Sequence, residues 1–208
     1  MQIPDFFREV PVIRMIDPLA EMLGACDGGI FEYTYEDAVK LAGHSCPTVA
    51  GVYLMLLRGL EELYPDRTPE RGAIRVFFRG SFGDGTVGVS AAIATLITGA
   101  TDRGGFQGIG GRFDRRNLLV FDSSIDGELA LERTDTGKKV VLSYDPSSIP
   151  SDPSVSRMID DILSGTADAE NRARFAVAWQ ARVRTILIDR RDDPGLISCR
   201  FTYLGDDR

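Results

Sequence analysis

The segment from Pro47 to Tyr64 is the feature that most restricts how this chain can fold. Its apolar residues recur at spacings of three and four, which is typical of an α-helix that buries one face. They are Val49, Val52, Leu56, Leu60 and Leu63. Pro47 suits the first helical position, because the N–H that proline lacks has no helical partner there. The pattern therefore predicts a helix from Pro47 to Tyr64.

The remaining pattern mixes helices and strands. Strands are predicted within 28–34, 72–78, 117–123, 127–134, 138–144 and 196–204. Helices are predicted within 12–25, where Pro18 either begins or kinks the helix, and within 35–43, 87–99, 154–164 and 167–189. Without steady βαβ alternation, this order predicts an α+β fold, with a mixed sheet packed against helices and a C-terminal helical segment followed by a final strand.

Composition divides the chain into three parts. Residues 1–144 are predicted to form the core domain. Residues 145–156 contain three prolines and five serines and are the best linker candidate. Residues 157–208 are then a helical extension with a strand, either part of the same fold or a dimer arm. Trp179 lies in an apolar stripe of this extension, and that stripe could serve the core or a dimer contact.

Charge and cysteine content exclude several classes of protein. A net charge of −7 disfavours nucleic acid and anionic membranes as partners. No apolar run approaches the ~20 residues of a membrane span, and the N-terminus lacks the pattern of a secretory signal. The three cysteines are too widely scattered for a disulfide framework. We therefore expect a cytoplasmic protein with reduced thiols.

The only histidine lies two residues before a cysteine, in the stretch LAGHSCPTVAG at 41–51. If Pro47 begins the helix, Cys46 is its N-cap, where the helix dipole and free N–H groups favour the thiolate. His44 and Cys46 could then bind zinc or another divalent transition metal together. Alternatively, His44 could activate Cys46 as a nucleophile. A third interpretation makes Cys46 a small buried thiol and His44 a turn residue.

The stretch AGHSCPTVAGVYLMLLRGL resembles the signature of the formylmethanofuran dehydrogenase E family, a His-x-Cys-Pro at the start of an apolar helix. The later stretch LITGATDRGGFQGIGGRF is similar to the family's Thr-Gly turn and glycine-rich segment. Together the two matches span roughly residues 35 to 145. The resemblance implies an α+β homodimer that holds a metal, often zinc, near His44 and Cys46. The family has no single settled molecular role.

The chain also departs from the family pattern. Ala42 stands where typical members have a second histidine. Val89, Ala92 and Thr95 align with positions that tend to be Cys, Asp and Gln. Residues 151–208 contain only Cys199, so the zinc finger that many relatives carry there is absent. Further metal ligands are left open: a water, a carboxylate such as Asp84, a bound small molecule or a residue of a second protomer.

Two glycine-rich loops could bind anionic ligands. GDGTVG at 83–88 fits the dinucleotide fingerprint, but no prompt return to a parallel strand and no acidic residue at the expected distance are evident, which favours an ordinary loop. Gly105, Gly108 and Gly110 precede Arg112, and backbone N–H groups with a guanidinium could cradle an anionic small molecule. A tight surface connection is the simpler interpretation of this second loop.

The patterns and the family resemblance together predict a metal-binding protein, zinc foremost, that forms a homodimer and could bind a small molecule. Whether it is an enzyme is left open. As an enzyme, it would use the metal to polarise a substrate oxygen or activate water. The alternative is a non-catalytic accessory or binding protein associated with a molybdenum or tungsten oxidoreductase. A metal-free enzyme acting through the Cys46 thiolate is the third hypothesis.

Overall fold

The structure is a computed structural model that describes residues 3–202. Within that range it has six α-helices and seven strands. The helices are α1 (Pro18–Met22), α2 (Tyr35–Ala42), α3 (Pro47–Leu63), α4 (Val87–Thr98), α5 (Ser154–Leu163) and α6 (Ala169–Arg184). The strands are β1 (Ile13–Ile16), β2 (Ile30–Tyr33), β3 (Ile74–Phe78), β4 (Leu119–Val120), β5 (Leu129–Arg133), β6 (Lys139–Tyr144) and β7 (Ile197–Thr202).

A five-stranded mixed sheet with the order β4-β3-β5-β6-β7 forms the centre of the molecule. β3 pairs parallel with β4, and the other neighbours pair antiparallel. A separate antiparallel pair joins β1 to β2. Helix α3 packs across β5 and β6, and its apolar stripe is buried there. The predicted α+β fold with a mixed sheet against helices is confirmed.

The C-terminal part of the chain contributes to the same sheet and core. β7 pairs with β6 along its whole length, from Tyr144 opposite Ile197 to Lys139 opposite Thr202. The core cluster around α3 also includes Ile149, inside the proline- and serine-rich segment, together with Val183 of α6. Positions 203 and 204 of the predicted last strand lie outside the described residues.

The helix predicted within 12–25 is wrong in its first half. Ile13–Ile16 is the strand β1, and the helix begins only at Pro18. Asp17 is the N-cap, and its carboxylate accepts the backbone N–H groups of Leu19 and Ala20 at 3.0 and 3.3 Å. The mixed spacing arises because a strand and a short helix follow each other directly. The Asp-Pro pair was the signal for that boundary.

Asp17 also anchors a buried ion-pair cluster. Its carboxylate accepts hydrogen bonds from Arg115 at 2.8 Å and from Arg71 at 3.0 Å. The Arg115 side chain is only 6% exposed, so this charge relies on Asp17 rather than on water. Burial opposes ionisation of Asp17, but the two guanidinium groups and the Ala20 N–H outweigh it and hold the pKa of the carboxyl below its ordinary value.

No helix in residues 3–202 combines the length and the apolar character that a membrane crossing requires.

Candidate functional site

His44 and Cys46 flank the junction between α2 and α3. Gly43 ends α2 in the left-handed conformation, with φ of 76°, and Cys46 is the N-cap of α3. The Cys46 thiol is half-buried, and its Sγ accepts the Val49 N–H at 3.5 Å. The predicted N-cap position of Cys46 is therefore confirmed.

The His44 ring is exposed and has a defined tautomer. Its Nδ1 lies 2.9 Å from the backbone oxygen of Ala42. A carbonyl oxygen can only accept, so in this bond Nδ1 carries the proton. In the neutral ring Nε2 then keeps its lone pair, an arrangement typical of metal-binding histidines. The backbone of Ala42 thus orients the His44 ring.

Three side chains hold the residue between the two candidate ligands. The Ser45 hydroxyl contacts the Tyr35 hydroxyl and the Gln180 side-chain oxygen, each at 3.0 Å. The Trp179 indole donates to the Ser45 carbonyl oxygen at 2.9 Å, and the Gln180 amide donates to it at 3.3 Å. Trp179 therefore makes an intramolecular contact with the His-Ser-Cys loop. Helix α6 fixes this loop from the C-terminal part of the chain.

Within the described part of the chain, no complete set of metal ligands surrounds His44 and Cys46. Among residues 3–202, no three His, Cys, Asp or Glu side chains are grouped closely enough to hold a metal ion. Asp84 lies instead in the loop before α4, where its carboxylate accepts the Ser81 N–H at 2.9 Å. Metal binding by His44 and Cys46 stays a prediction.

Tyr144 lies beside α3, and the sequence analysis did not identify it as a candidate site residue. Its ring occupies the space that a side chain at Gly51 would need, since a Cβ there would lie 2.5 Å from the ring. The phenol oxygen is buried and has no hydrogen-bond partner among the described residues. Burial raises the pKa of the Tyr144 hydroxyl; Arg182 opposes this rise, while Cys46 and Glu128 add to it.

The second glycine-rich segment forms a tight hairpin. Ile109 and Arg112 exchange two backbone hydrogen bonds of 2.9 and 3.0 Å around Gly110 and Gly111. Both glycines have positive φ, 58° and 78°, as a two-residue primed turn requires. The Arg112 guanidinium lies over the Phe113 ring, 4.9 Å from its centroid. The glycines in this segment therefore allow the backbone to form the turn.

The other two predicted ligand-binding glycines also lie close to their surroundings. A Cβ at Gly105 would lie 1.8 Å from the Thr101 hydroxyl oxygen, and one at Gly108 would lie 2.2 Å from the Arg112 carbonyl oxygen. Ligand binding by Gly105, Gly108, Gly110 and Arg112 stays a prediction.

A cavity of about 370 Å³ lies at the end of β3, beside the GDGTVG loop. Its apolar lining includes Val52 and Met55 of α3, and its charged lining includes Arg79, Asp84 and Glu128. The loop does lead from β3 through α4 to the parallel strand β4, although β4 has only two residues and begins at Leu119. The sequence analysis did not identify Arg79 and Glu128 as candidate site residues. The signal for them in the sequence is a charged residue directly after β3 and another directly before β5.

No protein-family model matches the chain, and no curated protein matches it. The likeness to the formylmethanofuran dehydrogenase E family therefore stays a resemblance, carried by the His-x-Cys-Pro helix start and the Thr-Gly turn.

Proposed function

We propose that this protein binds a divalent transition metal, zinc foremost, through Nε2 of His44 and Sγ of Cys46. The observation that carries the proposal is the hydrogen bond from His44 Nδ1 to the Ala42 carbonyl oxygen. In the neutral ring, this bond leaves the lone pair of Nε2 free to bind a metal. Nitrogen and sulfur are donors that zinc prefers. The half-buried thiol lies two residues away on a loop that three hydrogen-bonding side chains hold.

Two ligands per chain leave coordination positions for something else. A closed tetrahedral site needs four ligands, whereas a catalytic zinc keeps one position for water or substrate. The exposed His44 and the lack of a third protein ligand in residues 3–202 support completion by a second copy or by a small molecule. With a small molecule bound, the metal would supply Lewis-acid activation. We retain an accessory role beside a molybdenum or tungsten oxidoreductase as the alternative.

Metal analysis of tag-free protein tests the proposal, together with Co²⁺ substitution followed by absorption spectroscopy. Cys46→Ser is the decisive variant, because serine is a good N-cap and keeps the helix start while removing the thiolate. We expect bound metal and a thiolate-to-cobalt absorption band in the wild type. Both are expected to be lost in Cys46→Ser and in His44→Ala, and to be kept in the matched control Cys26→Ser.

The metal-to-chain ratio separates the ways of completing the site. One metal per two chains, with dimerisation that chelators reverse, indicates a ligand set shared between copies. One metal per chain with a band that shifts on adding small anions indicates an open position. A wild type that binds no Co²⁺, or a cobalt band that Cys46→Ser leaves unchanged, contradicts the proposal.

A further inference from the structure

The cavity at the end of β3 carries two opposite charges, Arg79 and Glu128, whose residues are both exposed. Arg79 directly follows β3, and Glu128 directly precedes β5. The backbone N–H of Arg79 donates to the Glu128 carbonyl oxygen at 3.3 Å. Opposite charges in neighbouring cross-strand positions commonly interact. Yet neither side chain forms an ion pair within residues 3–202, although both line the cavity. The two charges are therefore available to a ligand.

The same two strands contain a contrasting pair. Arg75 of β3 lies opposite Glu132 of β5, and their side chains form an ion pair of 3.5 Å. Neither residue lines the cavity. The sheet geometry thus permits an Arg–Glu pair between these strands, whereas the exposed side chains of Arg79 and Glu128 form no ion pair within residues 3–202.

The cavity is apolar at its inner wall and polar at its edge. Val52, Met55 and Leu129 are buried in its wall. The first turn of α4 reaches the edge, where the Val87 N–H is already bonded to the Asp84 carbonyl oxygen, and Arg79 supplies a cationic donor there. A volume of about 370 Å³ lies in the range of small-molecule sites.

We propose that this cavity binds a small zwitterion with an apolar side chain, of the free amino-acid class. The acidic group of the ligand contacts Arg79, the amino group contacts Glu128, and the side chain lies against Val52 and Met55. Partial burial and the nearby Asp145 charge raise the pKa of Glu128, while the Arg79 charge and a backbone hydrogen bond at Tyr144 offset part of that rise, so a cationic group brought next to this carboxylate is favoured. Neither His44 nor Cys46 lines the cavity, so the inference does not depend on the metal.

Calorimetric titration with three related probes tests the inference on the full chain. L-phenylalanine carries both charges, 3-phenylpropionate lacks the amine, and phenethylamine lacks the carboxylate. We expect L-phenylalanine to bind about tenfold or more tightly than either analogue, since each charged hydrogen bond contributes measurably. Arg79→Gln should weaken the two carboxylates about tenfold and spare the amine, and Glu128→Gln should weaken the two amines and spare 3-phenylpropionate.

Arg75→Gln and Glu132→Gln are the matched controls, because they remove the same charges from the same strands outside the cavity. They should leave all three affinities unchanged. The inference is overturned if L-phenylalanine binds no more tightly than its analogues or does not bind, or if the control variants weaken binding as much as the cavity variants do.

Discussion

Replacing Asp17 with asparagine removes the one negative charge that faces two arginines inside the protein. The side chain of Asp17 is 4% exposed and that of Arg115 is 6% exposed, so water cannot replace the lost partner. Asparagine still offers an oxygen to the N-terminus of α1. The change therefore isolates the charge from the helix cap.

Breaking a buried ion pair by removing one partner typically costs about 3–5 kcal/mol, because the other charge stays buried without compensation. Each kcal/mol lowers the melting midpoint by about 2–4 °C in a domain of this size, so we expect a midpoint roughly 10 °C lower. Thermal and urea unfolding followed by circular dichroism measure it. The exposed pair of Asp114 with Arg116 is the control, and Asp114→Asn should leave the midpoint unchanged.

The pH dependence of the free energy of unfolding gives a second test of the Asp17 ion pair. Because the folded-state pKa of Asp17 lies below its ordinary value, its contribution to stability is complete above the unfolded-state pKa. That contribution is lost as the pH falls through the folded-state pKa. The stability difference between wild type and Asp17→Asn should therefore be largest near pH 7 and shrink in acid.

A double variant checks the cause. If Asp17→Asn lowers stability because the Arg115 guanidinium stays buried without its partner, adding Arg115→Met should recover part of the lost stability. An Asp17→Asn protein that unfolds at the wild-type midpoint, or a double variant less stable than either single variant, would refute this reasoning.

Three further substitutions test other contacts. Gly51→Ala should lower the free energy of unfolding by about 1–3 kcal/mol, since its methyl group meets a tyrosine ring, and urea unfolding measures this. Gly110→Ala should cost about 1–2 kcal/mol through its left-handed backbone, whereas Gly104→Ala, with open space and no positive φ, should leave unfolding unchanged. Trp179→Phe should speed amide exchange in the His-Ser-Cys loop and weaken Co²⁺ binding; equal exchange in both proteins would refute the role of the indole bond.

Local sequence patterns predicted much of this fold. Proline at the first helical position and apolar spacing located α3 and its N-cap Cys46, because these signals act within a few residues. The sequence left open whether Pro18 begins the helix or kinks it, because a periodicity window averages two short elements. The partner of Asp17 could not be read at all, since Arg115 lies 98 positions away and nothing local to either residue indicates the pair.

In the candidate site, too, features set by neighbouring residues were predictable and features set by distant residues were not. Adjacency along the chain brought His44 and Cys46 together in the prediction, and the structure adds the tautomer-defining carbonyl of Ala42. The cavity was not predictable, because Arg79 and Glu128 become neighbours only when β3 pairs with β5. In the sequence each is a single charge beside an apolar run, a pattern that also describes ordinary solvent-facing residues.

The bonds from α6 to Ser45 have a consequence for the order of events during synthesis. Ser45 and Gln180 are separated by 135 positions, so most of the chain must leave the ribosome before these bonds can form. A nascent chain that already contains His44 and Cys46 lacks the indole and the amide that hold the loop between them. The loop therefore reaches its fully hydrogen-bonded form only after translation has passed α6.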